Sequence, residues 1–217
     1  LEKLGPLLDH FSISSAILIG HSDGGSISLI HAGSDQADGR IRAVVTLAAH
    51  VFNEDICRQG IEAARKAYAE TDLRERLARY HGDNIDLAFR GWNDVWLSDG
   101  FRGWNIEEFL PNIDVPLLAI QGSRDEYGSE AQVKSIISTV SGPAEAWMVE
   151  GCARRKFFEE TAVTRRPHLL QIHLNFARHF FLLWQFNGII HLQKVIIRRG
   201  RMARNGLCQN KRPYLRA

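Results

Sequence analysis

The chain has 217 residues, 24% charged and 45% hydrophobic, with a formal net charge of +2. That balance suits a globular protein with one core of ordinary size, and it excludes intrinsic disorder, collagen-like repeats and a small disulfide scaffold. Three cysteines, Cys57, Cys152 and Cys208, form an odd set without metal-site spacing, so neither a disulfide framework nor a metal centre is expected, and a reducing, cytoplasmic setting is.

The small net charge hides a division. Residues 1–152 carry 13 Lys and Arg against 23 Asp and Glu, whereas residues 153–217 carry 14 against 2. The acidic part reads as an enzyme-like domain. The basic part starts abruptly at ARRKFF, so a boundary is expected near Cys152.

In chain order, Leu1, Leu4, Leu7, Leu8 and Phe11 fall at spacings of three and four, the stripe of a packed helix. The opening LEKLGPLLDHF has no signal-peptide pattern and begins without Met, which reads as a truncated start. Ala16 to Ile19 is apolar on both faces and closed by Gly20, as in a strand buried within a parallel sheet. A helical pattern opens at Gly24-Gly25 and runs through Ala32. Further strands are predicted at Ile41 to Ala48, Val115 to Gln121 and Ala146 to Val149, with a helix over Glu130 to Val140. Strands separated by helices imply an α/β fold with a parallel sheet, because parallel neighbours need crossover connections. Between the second and third strands, residues 52–110 lack a strand signal and include the helix-forming IEAARKAYAETDLRERLARY, so a helical insertion over one end of the sheet is predicted. Its Trp92, Trp96 and Trp104 either pack the insertion or line a pocket.

The segment ILIGHSDGGSISLIHA contains Gly20-His21-Ser22-Asp23-Gly24, a G-x-S-x-G pattern between a buried strand and a helix. Three fixed positions would occur by chance roughly 0.07 times in a chain of this length. So tight a turn admits only glycine at its flanks, and it holds the serine hydroxyl at a helix N-terminus, where free N–H groups and the helix dipole favour developing negative charge.

With that elbow on view, the chain resembles the α/β-hydrolase superfamily over residues 1–152, and within it the small serine hydrolases with a G-[HW]-S-D-G-G elbow, the group of valacyclovir-hydrolase-like esterases. The resemblance implies that Ser22 is the nucleophile of an acyl-enzyme and that the Asp23 N–H is one oxyanion donor. It implies hydrolysis of a small-molecule ester or amide, without a cofactor or a nucleic-acid partner. The family's acid loop is resembled by Gly-Ser-Arg-Asp in VPLLAIQGSRDEYG, which makes Asp125 the candidate orienting carboxylate, with Glu126 a neighbouring alternative.

The family's base is a histidine just after the next strand, in a turn such as Gly-Cys-x-His. Here Gly151-Cys152-Ala153 is followed by Arg154, which stays protonated and cannot accept a proton. His168 is the nearest later histidine and the candidate base. His21 occupies the variable elbow position, and His50 at a strand end is a candidate pocket residue out of the family's order. The missing histidine and the charge reversal coincide, and one shift of reading frame near residue 153 would account for both. The alternative is a basic amphipathic helix binding an anionic surface. The tail's apolar run around Phe180 to Ile190 is broken by Gln185 and Asn187 and is too short to span a bilayer. Only about fifteen residues precede the first strand, so the sheet is expected to have a raw edge there, and the second oxyanion donor to be missing.

Overall fold

The computed structural model describes residues 3–37 and 39–154, together with the backbone of residues 189–192. Helix α1 (Leu4–His10) precedes strand β1 (Ala16–His21), helix α2 (Asp23–Gly33) and strand β2 (Ile41–Leu47). Strand β3 (Leu117–Gly122), helix α6 (Glu130–Thr139) and strand β4 (Ala144–Val149) follow the insertion, and β5 spans Ile189–Leu192. The sheet order is β4-β3-β2-β1-β5, and every pairing is parallel.

The near-continuous apolar runs explain why these segments are strands within the sheet. All six residues of β3 are buried, and alternate side chains serve two different clusters. Leu18, Val44, Leu117 and Ala119 join Leu8, Leu29, Val133 and Ile136 from the helices on one face. Val45, Leu118 and Ile120 face the other way, with Ile17, Ile19 and Trp147 packed against them. At roughly 1.5–3 kcal/mol per fully buried large aliphatic side chain, the first cluster is the main source of stability.

The edge of β1 differs from the sequence expectation of a raw edge. Residues 189–192 pair with it in parallel, Ile17 opposite Ile189 and Gly20 opposite Leu192. An open edge presents a row of unpaired backbone groups, and the backbone of a further strand satisfies them. The rest of the basic tail, with the readings made of it, lies outside the described residues, and so does His168.

The insertion between β2 and β3 is helical, as predicted. It comprises α3 (Asp55–Glu70), α4 (Leu73–His81) and α5 (Ile85–Leu97), then short 3-10 turns that return the chain to the sheet. Arg65 bridges to Asn93 and Asp94, Tyr68 and Arg74 both donate to Asp86, and Arg58 donates to the carbonyls of Trp96 and Leu97 at the end of α5. Cys57, Ile61 and Trp96 are buried at its base, with Trp92, Trp104 and Tyr127 packed around them.

What fixes the site is the corner between β1 and α2. A Cβ built on Gly20 would lie 2.1 Å from the Gly24 carbonyl oxygen, and one on Gly25 would lie 2.7 Å from the Ala49 Cβ. The chain can turn this sharply only because those side chains are absent. A Gly20→Ala variant is therefore expected to lose about 3 kcal/mol of stability. Gly91→Ala, where a Cβ meets open space within a helix, should be neutral or slightly stabilising. Urea unfolding of the two variants beside the parent checks the contrast.

Candidate functional site

Ser22 sits at the tip of this corner with φ 54° and ψ −124°, a left-handed conformation rare for a residue with a side chain. Its own N–H donates to the Leu47 carbonyl at 2.8 Å, and its carbonyl accepts from Gly25 N–H at 2.8 Å. Both ends of the turn are thus tied, one to the neighbouring strand and one to the new helix. The Asp23 N–H is the first of α2 and has no carbonyl one turn back to bond, as for any opening helix residue. The strain and the free N–H fall at the same place, which is common where backbone geometry serves a binding or reacting atom.

Asp125 follows β3 in a loop tied down at several points. Its N–H donates to the Gly122 carbonyl, its Oδ1 accepts from Tyr127 N–H at 2.9 Å, and its side chain is fully buried. Gln121 Nε2 donates to the carbonyls of Gly128 and Ser129. Ser129 N–H, Ser129 Oγ and Gln132 Nε2 all donate to the Glu54 carboxylate, at 2.7–2.8 Å. His50 ends β2's continuation, and its Nε2–H donates to the Tyr127 carbonyl at 2.9 Å.

Arg154 closes the site. Its Nε lies 3.1 Å from both oxygens of Asp125, its Nη1 donates to Ser22 Oγ at 3.1 Å, and its Nη2 donates to the Ala48 carbonyl at 2.8 Å. The guanidinium also lies over the Tyr127 ring, 5.0 Å from its centre, and the side chain is only 11% exposed. Ala48, at φ 51°, is itself left-handed, and this aims its carbonyl at the guanidinium. Ser22 and Asp125, 103 positions apart by the numbering, are therefore joined through one side chain, that of Arg154. Nη2 also comes within 3.4 Å of His50 Nε2, but the hydrogen that Nε2 gives to Tyr127 leaves it no lone pair there to accept a second bond.

The electrostatics follow from burial. Desolvation pushes the Asp125 carboxyl up from the ordinary carboxylate value, while the Arg154 charge and the Tyr127 N–H pull it down. Asp23 is likewise raised by burial, against the pull of Arg154 and a bond from Trp96. Burial and the Arg154 charge together bring His50 down to about 3, so it is neutral at physiological pH.

The other sequence candidates are distributed around this centre. Trp96 is buried between His50, 5.1 Å away ring to ring, and the insertion's Phe101 and Trp104. Trp92 is half-buried, edge-on to Tyr127 and Phe89. His21 is half-buried beside Ser22 at the end of β1, and His50 lies beneath Arg154 rather than at the surface. Sequence reasoning missed Ala48, Tyr127 and the Glu54 anchor; no local pattern marks them, because each acts through residues distant in sequence. Among the described residues no group of three or more His, Cys, Asp or Glu could hold a metal ion, and no helix is long and apolar enough to cross a membrane.

A parallel sheet with crossover helices, a strained serine at the strand-to-helix corner and a helical insertion before the Asp125 loop define the α/β-hydrolase fold, here in part. No protein-family model and no curated protein matches the chain. Among solved structures, it resembles one described with carboxylesterases of the thaumarchaeon Nitrososphaera gargenis, at TM-score 0.59 and 18% identity, covering 83% of this chain and 71% of the other. It also resembles an α/β-fold hydrolase of Bacillus anthracis, at TM-score 0.55 and 16% identity over 74% and 68% of the two chains. A third resemblance is to an α/β-hydrolase enzyme from a Medee basin deep-sea metagenome, at TM-score 0.50 and 21% identity over 73% of this chain. The present chain spans 65% of that last protein's length.

Two outcomes follow. Removing the guanidinium leaves a buried carboxylate without its counter-charge, so Arg154→Ala should lose about 3 kcal/mol in urea unfolding. His50 binds a proton in the unfolded chain below about 6.5 but in the folded chain only below about 3. Its contribution to stability is therefore fully present above the unfolded value and falls as pH drops through that window, by at most about 1.4 kcal/mol per pH unit. Thermal unfolding followed from pH 7 to 4 should show the slope, and His50→Gln should flatten it.

Proposed function

We propose that this chain carries the acyl-transfer site of a serine hydrolase acting on a carboxylic ester, or less favourably an amide, with Ser22 as nucleophile and Asp125 as the orienting carboxylate. The Asp23 N–H would serve as one oxyanion donor. The observation that carries this reading is the convergence of a strained elbow serine and a buried loop aspartate on a single side chain. That side chain stands where such a site needs its base.

In a working triad the carboxylate holds an imidazole, and the imidazole takes the serine's proton. Arg154 makes both contacts an imidazole would make, to Asp125 and to Ser22 Oγ, but as a donor in each. It can orient Ser22 and stabilise charge on its oxygen. It cannot remove the proton. The loss of a general base costs typically 10²–10⁴ in rate, while oxyanion stabilisation and binding retain a residual 10³–10⁴ over water. On this reading the described residues bind and position an acyl substrate and react with it slowly. His168 could act as base only by entering the space that Arg154 fills. The two buried cysteines, Cys57 and Cys152, suit a reducing, cytoplasmic setting.

A fluorophosphonate probe tests the assignment. Slow labelling of the parent, lost in Ser22→Ala, is expected. Arg154→His should accelerate labelling about 100-fold or more, since it returns an imidazole to a place already within reach of both partners. A folded Arg154→His protein that labels no faster than the parent would overturn the reading.

A further inference from the structure

Arg154 affects the two halves of an acyl transfer unequally. We infer that Ser22 is a stoichiometric acyl acceptor for activated esters: it takes an acyl group from an aryl ester and retains it. This rests on the reading of Ser22 as nucleophile, and it goes beyond that reading in assigning the donor class and the fate of the adduct.

Acylation is the half that Arg154 permits. The Ser22 Oγ lone pair forms a bond to the carbonyl carbon, the bond from that carbon to the aryl oxygen breaks with its electron pair, and an aryl oxide departs. An aryl oxide leaves without being protonated. The Oγ proton passes to solvent or to a buffer base, which the half-buried position of Ser22 permits. Nη1 of Arg154, 3.1 Å from Oγ, stabilises negative charge on that oxygen as its proton is lost. An alkyl ester is excluded, because its alkoxide must be protonated as it leaves and a guanidinium is too weak an acid to do so.

Deacylation is the half that Arg154 blocks. A water must lose a proton as it attacks the acyl carbon, and here the leaving group is the Ser22 alkoxide, which must regain one. Solvent can take the water's proton as it takes the Oγ proton in acylation, but the alkoxide, unlike an aryl oxide, needs an acid at hand that gives up a proton near neutral pH. No group in contact with Ser22 Oγ among the described residues does so. Asp125 is fully buried and committed to Nε of Arg154, and His50 Nε2 is committed to the Tyr127 carbonyl. The guanidinium itself bonds Asp125, Ser22 and the Ala48 carbonyl at once, and so fills the place where such a group would stand.

The test uses the full chain with 4-nitrophenyl acetate. One equivalent of 4-nitrophenolate per chain should appear in a first phase, followed by release at least about 100-fold slower. Intact-mass analysis should show one added acetyl group, mapped to Ser22 by peptide sequencing and absent from Ser22→Ala. Arg154→His should convert the single release into continued turnover without accumulation of the adduct. Steady turnover by the parent, or an acetyl group found on another residue, would refute the trap. Absence of an acetyl adduct while the fluorophosphonate probe labels Ser22 would refute it and leave the nucleophile standing. Failure of both reagents on folded protein, with Arg154→His equally inert, would remove both.

Discussion

The close approach of the Gly20 and Gly24 backbones, within a distance no side chain could share, is the constraint on which the rest of the site depends. It forces Ser22 into a left-handed conformation and starts α2 on the next residue. The hydroxyl is thereby held at the carboxyl end of a buried parallel strand, with the helix's first N–H groups behind it. Gly25 against Ala49, and Ser26 Oγ donating to the His50 carbonyl at 2.6 Å, tie the same corner to the end of β2. The strain at Ser22 is thus held by contacts on both neighbouring elements, as a costly backbone conformation must be if it is to persist.

Opposite the corner, the loop that carries Asp125 is held mainly by buried polar groups. Gln121 beneath it, Gln132 and Glu54 beside it and His50 across from it leave the backbone from Asp125 to Ser129 little freedom. Such a network specifies one arrangement where an apolar contact would allow several, and here it does so although Gln121 Oε1 and His50 Nδ1 have no hydrogen-bond partner among the described residues. Asp125 can therefore be buried at the site with its charge facing one partner. A guanidinium in that place gives the carboxylate a strong partner, since an arginine donates from a rigid fork. The same strength makes the site chemically one-sided: it can stabilise negative charge but cannot move a proton.

Much of the fold was legible in the sequence. The apolar runs expected as strands overlap β1, β2 and β3, and the lack of polar alternation in β3 records its burial on both faces. Helices α3 and α4 follow from the strong helix formers in residues 61–80, and the corner between β1 and α2 from glycines whose place no side chain could share. Asp125 was visible through its place after a strand. The sheet's outer edge was not legible: the pairing of residues 189–192 with β1 joins segments that share no local signal, and pairing choice depends on which edge remains open. Glu54, Ala48 and Tyr127 escaped notice for a related reason, since a carboxylate, a methyl and a phenol in loops carry no periodicity.

By itself the sequence determined the strand-turn-helix corner, the candidate nucleophile and acid, and the fact that position 154 holds an arginine where resemblance calls for a histidine. These are local properties, set by residue size, backbone freedom and titration chemistry within a few positions. Only the tertiary structure decided that this arginine reaches both Ser22 and Asp125, because that outcome depends on bringing the ends of β1 and β3 and the turn after β4 to one point. It also decided that Ala48 turns its carbonyl toward the guanidinium and that His50 is buried and neutral. Desolvation and charge pairing are properties of the assembled surroundings, and no stretch of sequence contains them.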